Sequence, residues 1–283
     1  MAKIDLRPMT LGEVLDRTFS LYKGNFWLFA GIVAIPYLVI VIFSLFYSSA
    51  LVSALPASGV PATTAAMGQL LGATLGGLAL FSLVYLCVFA AAQAATVVAV
   101  SDLYLGRPAS LHESYARVAG RIGTVLVVMV LVFLMIGLGM VLFIVPGIMV
   151  ACRTAVAVPA ATLENTGVGK SIWRSMRLTK GYSLEIFAVF VLTLFLAVVC
   201  SIVFHLPVLL AMGSPMQPHA VPFWLRVADG LASWLAGVIV APIGTIAFSL
   251  IYYNLRIRKE AFDLEQLISS LEPDSSPTSP SPT

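Results

Sequence analysis

The sequence predicts an all-α integral membrane protein with six transmembrane helices, and three observations carry that reading. Hydrophobic residues fill 60% of the 283 positions, charged residues only 10%, and the mean hydropathy is +1.00; soluble domains are about 25% charged. The apolar residues gather into runs long enough for helices that cross ~30 Å of hydrocarbon, which takes about 20 residues each. Lys and Arg stand in short clusters between alternate runs, the arrangement that orients a multi-span chain.

The first element is amphipathic, not hydrophobic. Across residues 10–26, Leu11, Val14, Leu15, Thr18, Phe19 and Tyr22 share one helical face, and Glu13, Asp16, Arg17 and Ser20 share the other. Thr10 followed three residues later by Glu13 is a capping box, which satisfies free N–H groups and sets the helix start. A short helix of this kind beside a span is expected to lie flat among lipid headgroups. The stretch MAKIDLRPMT ahead of it has no apolar run before a small-residue cleavage site, so the first span is expected to act as an uncleaved anchor.

That span runs from Trp27 to about Ser49, with Pro36 inside it. Residues 50–68 carry no charge and are rich in Gly, Pro, Ser and Thr, which reads as a loop. The second span covers about 71–100, and its stretch AAAQAA suits close helix packing, with Gln93 placed for an interhelical hydrogen bond.

Residues 110–122 repeat the opening design. Leu111, Tyr115, Val118, Ala119 and Ile122 form the apolar face, Glu113 and Arg117 the polar one, and Ser110 with Glu113 offers a second capping box. Two spans follow, turning at Pro146-Gly147, with Pro159 positioned to kink the second. A third amphipathic segment aligns Gly167, Val168, Lys170, Ile172 and Arg174 on the same offsets as the first two. Its polar face carries Lys170, Arg174 and Arg177, the most basic of the three. The last two spans lie near 182–205 and 224–254.

The chain therefore reads as three modules, about 10–105, 110–163 and 167–256, each a flat helix followed by a transmembrane hairpin, in a membrane domain of 1–260. Common descent of the modules and a shared need for amphipathic helices both account for the pattern. Residues 261–283 form a tail: AFDLEQLISSLE suits a short helix, and the Pro- and Ser-rich remainder from about 273 is expected to be disordered.

Fourteen of the sixteen Lys and Arg residues fall on one side of a six-span arrangement, and the positive-inside rule makes that side cytoplasmic, with both termini there. The exceptions are Arg226, expected to pair with Asp229 one turn on, and Arg153. Arg153 sits inside the fourth span, where a cation needs a carboxylate, backbone carbonyls, water or a lipid phosphate. A structural role, a ligand or lipid-anion contact, and snorkelling to the outer surface all remain open for it. The partners within the chain would be Asp102, Glu164 or Glu185.

No catalytic or cofactor motif is visible. The three histidines are scattered, the three cysteines lie within apolar runs, and no P-loop, GxSxG or dinucleotide fingerprint occurs in the right context. An enzyme is disfavoured, and no metal, cofactor or nucleic acid is expected. Basic residues beside flat apolar faces favour anionic lipid headgroups as partners.

Four blocks, RPMTLGEVLDRTFSLYKGNF, VPGIMVACRTAVAVPAATLEN, KSIWRSMRLTKG and YYNLRIRKEAFDLE, resemble the prokaryotic glycerophosphoryl diester phosphodiesterase membrane-domain family. In some members that domain precedes a catalytic barrel, which these 283 residues have no length to hold, so the resemblance implies a membrane module without the activity. The expected function is a lipid-interacting or complex-organising scaffold of the cytoplasmic membrane, with a membrane protein or a second copy as further partner. Arg17, Arg117, Lys170, Arg174 and Arg177 would face headgroups. The alternative is a transporter or lipid translocator with Arg153 in a central cavity; membrane-bound phosphodiesterase action ranks last.

Overall fold

The computed structural model describes residues 8–54, 63–164, 166–212 and 222–271. These are helical throughout, in ten α-helices: α1 (Leu11–Gly24), α2 (Phe26–Ala54), α3 (Thr64–Tyr104), α4 (Leu111–Val118), α5 (Ile122–Leu142), α6 (Ile144–Thr154), α7 (Ala157–Leu163), α8 (Val168–Thr179), α9 (Ser183–Met212) and α10 (Phe223–Leu271). One 3-10 turn, Ala119–Arg121, joins α4 to α5. Six stretches are long and apolar enough to span a membrane, the fourth being α6 and α7 together. The protein is an all-α, multi-pass membrane protein.

The molecule is packed unevenly along its length. At one end the spans show apolar side chains outward: Leu71, Leu75 and Leu80 on α3, Leu134 and Leu138 on α5, Leu206 and Leu210 on α9 are all exposed. In a monomeric soluble protein such a belt would be a liability; here it is the surface that meets lipid. At the other end the same helices meet α1, α4, α7 and α8 in a continuous core that includes Phe29, Ile32, Val100, Val125, Ala160, Leu178, Ile186, Ile246 and Leu250. This second end also holds nearly all the described basic residues, and we call it the basic end.

Helix length explains how such a core forms. At 1.5 Å per residue, α3 (41 residues) and α10 (49 residues) are roughly 60 and 70 Å long, about twice the hydrocarbon thickness. Their surplus offers a protein surface on which α4 packs against α3 and α1 against α10, while α8 packs on α5, α6 and α7, so protein covers the inward face of each amphipathic helix. The Met9 backbone N–H donates to Asn254 Oδ1 (2.8 Å), and the Tyr22 hydroxyl donates to the Ile239 carbonyl (2.7 Å). Those contacts are 15 positions apart on α10, about 22 Å, so α1 runs along α10 rather than across it. Burial carries the Tyr22 phenol up to about pKa 12, with a smaller contribution from Cys200. On α4, Ser114 and Val118 are buried, and the Tyr115 hydroxyl donates to the Ile32 carbonyl (2.7 Å). On α8, Ser171, Ile172, Ser175, Leu178 and Thr179 are buried.

The local signals resolve in detail. The Thr10 capping box is complete: Glu13 N–H donates to Thr10 Oγ1 (3.4 Å) and Thr10 N–H to Glu13 Oε2 (2.7 Å). At Ser110 only the forward half forms, because the Glu113 carboxylate turns to Arg117 Nη2 (3.1 Å) instead of reaching back. The turn expected at Pro146-Gly147 lies earlier, at Phe143, whose backbone is extended (φ −161°, ψ 152°). Pro146 sits in the first turn of α6, where its missing N–H has no intrahelical acceptor to lose. The loop expected over 50–68 is shorter, since α2 reaches Ala54 and α3 begins at Thr64. The last span and the tail helix form one unbroken helix to Leu271, and the stretch from 273 lies outside the described residues.

Glycine permits a close backbone-to-backbone approach of α5 and α6. A Cβ on Gly139 would lie 2.9 Å from Gly147 Cα and 3.1 Å from Gly147 N, backbone atoms that cannot rotate away. Gly139→Ala is therefore expected to pry α5 from α6 and cost about 1–3 kcal/mol, read as a lowered Tm in detergent. Gly137→Ala, two residues away with open space around it, should leave Tm nearly unchanged. Equal effects of the two would contradict this packing.

Candidate functional site

The candidate site is the polar layer of the basic end, assembled from five helices and the segments joining them. Asp102, near the end of α3, is 2% exposed at its side chain and is held by a two-pronged bond from Arg117 on α4, Nη1 to Oδ1 at 2.9 Å and Nη2 to Oδ2 at 2.5 Å. Glu164, just past α7, accepts from Arg174 Nε on α8 (2.9 Å) and from the Tyr252 hydroxyl on α10 (2.6 Å). Arg174 Nη2 also bonds Glu260, which in turn accepts from Arg256 Nε (2.7 Å). Burial alone would lower the Arg174 pKa, but its bonds to Glu260 and Glu164 outweigh it and the net direction is up. Arg258 Nη1 approaches Glu185 of α9 (3.8 Å), while Nη2 donates to the Met9 carbonyl (2.5 Å).

Each carboxylate considered for Arg153 is thus engaged elsewhere: Asp102 with Arg117, Glu164 with Arg174, Glu185 with Arg258. Arg153 occupies the last turn of α6, two residues ahead of a break at Ala155-Val156. Pro159 causes the break, since it has no N–H to donate to the Ala155 carbonyl and its ring crowds that oxygen. The carbonyl of Arg153 accepts instead from Ser175 Oγ (2.9 Å) and Thr179 Oγ1 (3.1 Å) of α8. The Arg153 backbone therefore lies against α8 at the C-terminal end of α6, about 14 Å from the Ile144 turn. Arg153 is partly buried, and its guanidinium has no partner among the described residues. A cavity of about 300 Å³ does lie at the break, but Thr154 and Ala155 line it and Arg153 does not, so the central-cavity placement of Arg153 is corrected.

The remaining residues expected to face headgroups divide into two groups. Arg117 is committed to the buried Asp102 and Arg174 to Glu164 and Glu260, and both act as ties between helices. Arg17, Lys170 and Arg177 are exposed. On α8 the outward face presents Lys170, Trp173 and Arg177 one turn apart, with Lys180 just beyond; Trp173 is 62% exposed and the Arg177 guanidinium lies over its ring at 5.1 Å. Beside Lys170 and Trp173 is an open recess of about 430 Å³ that also touches Glu164, Thr166, Gly169 and Arg174.

At the far end, Arg226 does not pair with Asp229. Its guanidinium lies over the Phe223 ring (5.9 Å), and Asp229 approaches His205 Nε2 (3.8 Å) on α9, which also meets Ser233 Oγ at 3.0 Å. Sequence reasoning missed Tyr252, Asn254 and Glu260 as partners, although a polar run in an otherwise apolar helix was a readable signal. The serines and threonines on the apolar faces of α1, α4 and α8 were a second signal: Thr18, Ser114, Ser171 and Thr179 bond helix carbonyls inside the core, which lipid would not require.

No known family, curated protein or solved structure matches this chain.

Proposed function

We propose that the protein is a non-enzymatic membrane module whose basic end, facing the cytoplasm, engages anionic lipid headgroups and so organises the lipid or a protein complex around it. The observation that carries this reading is the outward face of α8. Lys170, Arg177 and Lys180 there are spared from internal pairing by a separate set of ties, and they flank an exposed tryptophan. An amphipathic ring with cations beside it is the composition that favours a negatively charged interface, at about 1 kcal/mol per basic residue near an anionic surface. Arg17 on α1 adds to the same charge. The resemblance to the phosphodiesterase membrane-domain family supports a membrane module, and on that reading hydrolysis belongs to a barrel outside these residues.

The test is lipid co-purification from mixed phosphatidylglycerol and phosphatidylcholine. The wild-type chain should retain phosphatidylglycerol preferentially, and the triple variant Lys170→Gln/Trp173→Ala/Arg177→Gln should lose about tenfold of that preference with its Tm little changed, since these side chains point outward. An unchanged lipid ratio would sink the headgroup reading. Hydrolysis of a glycerophosphodiester by the purified chain would overturn the non-enzymatic one.

A further inference from the structure

The 300 Å³ cavity lies between the exposed apolar belt and the buried core: Phe133 in its lining is exposed and Ala157 and Ala160, beside its lining residues Val158 and Pro159, are buried. Its wall toward the belt is apolar, formed by Phe133 and Ile136 of α5 and Ala151 of α6, and Phe133 is itself exposed to the surroundings. Its wall toward the basic end carries a polar pair: Thr245 Oγ1 of α10 donates to Gln93 Oε1 of α3 at 2.6 Å. That bond uses the amide's oxygen and leaves its nitrogen, with two N–H donors, without a partner among the described residues. The nitrogen is not sealed off in the packing either, since Gln93 lines the cavity and is only half-buried.

We infer that this cavity takes one acyl chain of a bilayer lipid from the basic-end leaflet, its ester carbonyl accepting from the Gln93 amide and its methylenes running toward Ile136. Three features select that occupant. The entrance faces hydrocarbon, so entry is lateral and the molecule comes from the bilayer. The polar group is a pair of donors with its own acceptor already used, so the occupant must bring an acceptor. Gln93 lies about 16 Å along α3 from Tyr104 and Ile136 about 21 Å along α5 from Ile122, so the donor stands nearer the basic end than Ile136, which matches the polarity of a lipid whose headgroup is at the basic end. At ~30 Å³ per small group, the space holds about ten methylenes, part of one chain and not a whole lipid. Pro159, which interrupts the fourth span between α6 and α7, is itself part of the lining.

Matched phosphatidylcholines, one with ester-linked and one with ether-linked chains, test this with headgroup charge held neutral, so the outcome does not depend on the anionic-headgroup proposal. The full chain in nanodiscs containing both should retain the diester lipid about fivefold over the diether, the effect of one added hydrogen bond, and Gln93→Leu should bring the ratio to unity. Ala151→Phe, which fills the entrance, should release both lipids. Equal retention of diester and diether by the wild type overturns the inference, as does a preference that survives Gln93→Leu. Should Gln93→Leu fail to fold, a photoactivatable group placed mid-chain on the diester lipid decides with the wild-type protein alone. Adducts concentrated on 133–136 and 151 are expected, and adducts confined to the outer belt of α9 would overturn the proposal.

Discussion

Arg117→Ala should destabilise the protein by about 2–3 kcal/mol, more than the loss of its buried partner does. Removing the guanidinium leaves the Asp102 carboxylate, 2% exposed, without either of its two strong donors. Breaking a buried pair from one side costs roughly 3–5 kcal/mol because it strands a desolvated charge; the figure is reduced here because Arg117 is 42% exposed and water can follow it out. Removing the carboxylate is different. In Asp102→Asn, Arg117 keeps Glu113 (3.1 Å) and open water, and nothing charged is trapped. The order expected from thermal unfolding in detergent is therefore Arg117→Ala worst, Asp102→Asn milder, and the double variant better than Arg117→Ala alone. Equal losses in the two single variants, or a double variant as unstable as their sum, would show that Asp102 is not the buried charge that fixes α4 against α3.

Local chemistry made much of this architecture legible. Thr10 and Glu13 start α1, Ser110 starts α4, and the apolar runs give six spans, because helix caps and hydrophobic length act within a few residues of where they are written. Pro159 likewise announced a distortion in the fourth span. What could not be read was what covers each apolar face. Amphipathicity shows that Val14, Thr18 and Tyr22 need burial but not whether lipid or protein supplies it, and α10 at about 70 Å turned out to be long enough to do so. Pairing was equally hidden. Arg117 finds a carboxylate 15 residues back, whereas Arg174 bonds one 10 residues back and another 86 residues ahead, and several acidic residues compete on equal terms in one dimension. Arg226 illustrates the cost of defaulting to the near neighbour: Asp229 is one turn away and approaches His205 across on α9 instead.

Arg174→Leu should free α8 from the bundle. Arg174 is the only described residue that reaches both Glu164 and Glu260, and with side-chain exposure of 16% for it and for Glu164 the first of these bonds is largely desolvated. Without it Glu164 keeps only the Tyr252 hydroxyl and Glu260 only Arg256, so two carboxylates approach each other less one cation. The expected loss is about 2 kcal/mol, below the buried-pair range because Glu260 is 39% exposed. The loss should be local: hydrogen exchange should rise in 168–179 while α3 and α5 stay protected, and trypsin should cut faster at Lys170 and Lys180. Arg174→Lys should not rescue it, since one ammonium lacks the fork that meets two carboxylates from separate nitrogens. Because the same helix carries Lys170, Trp173 and Arg177 outward, a loosened α8 should also lose its preference for anionic lipid without any change in those three residues. A variant that kept that preference while α8 exchanged freely would separate the tie from the face it holds out.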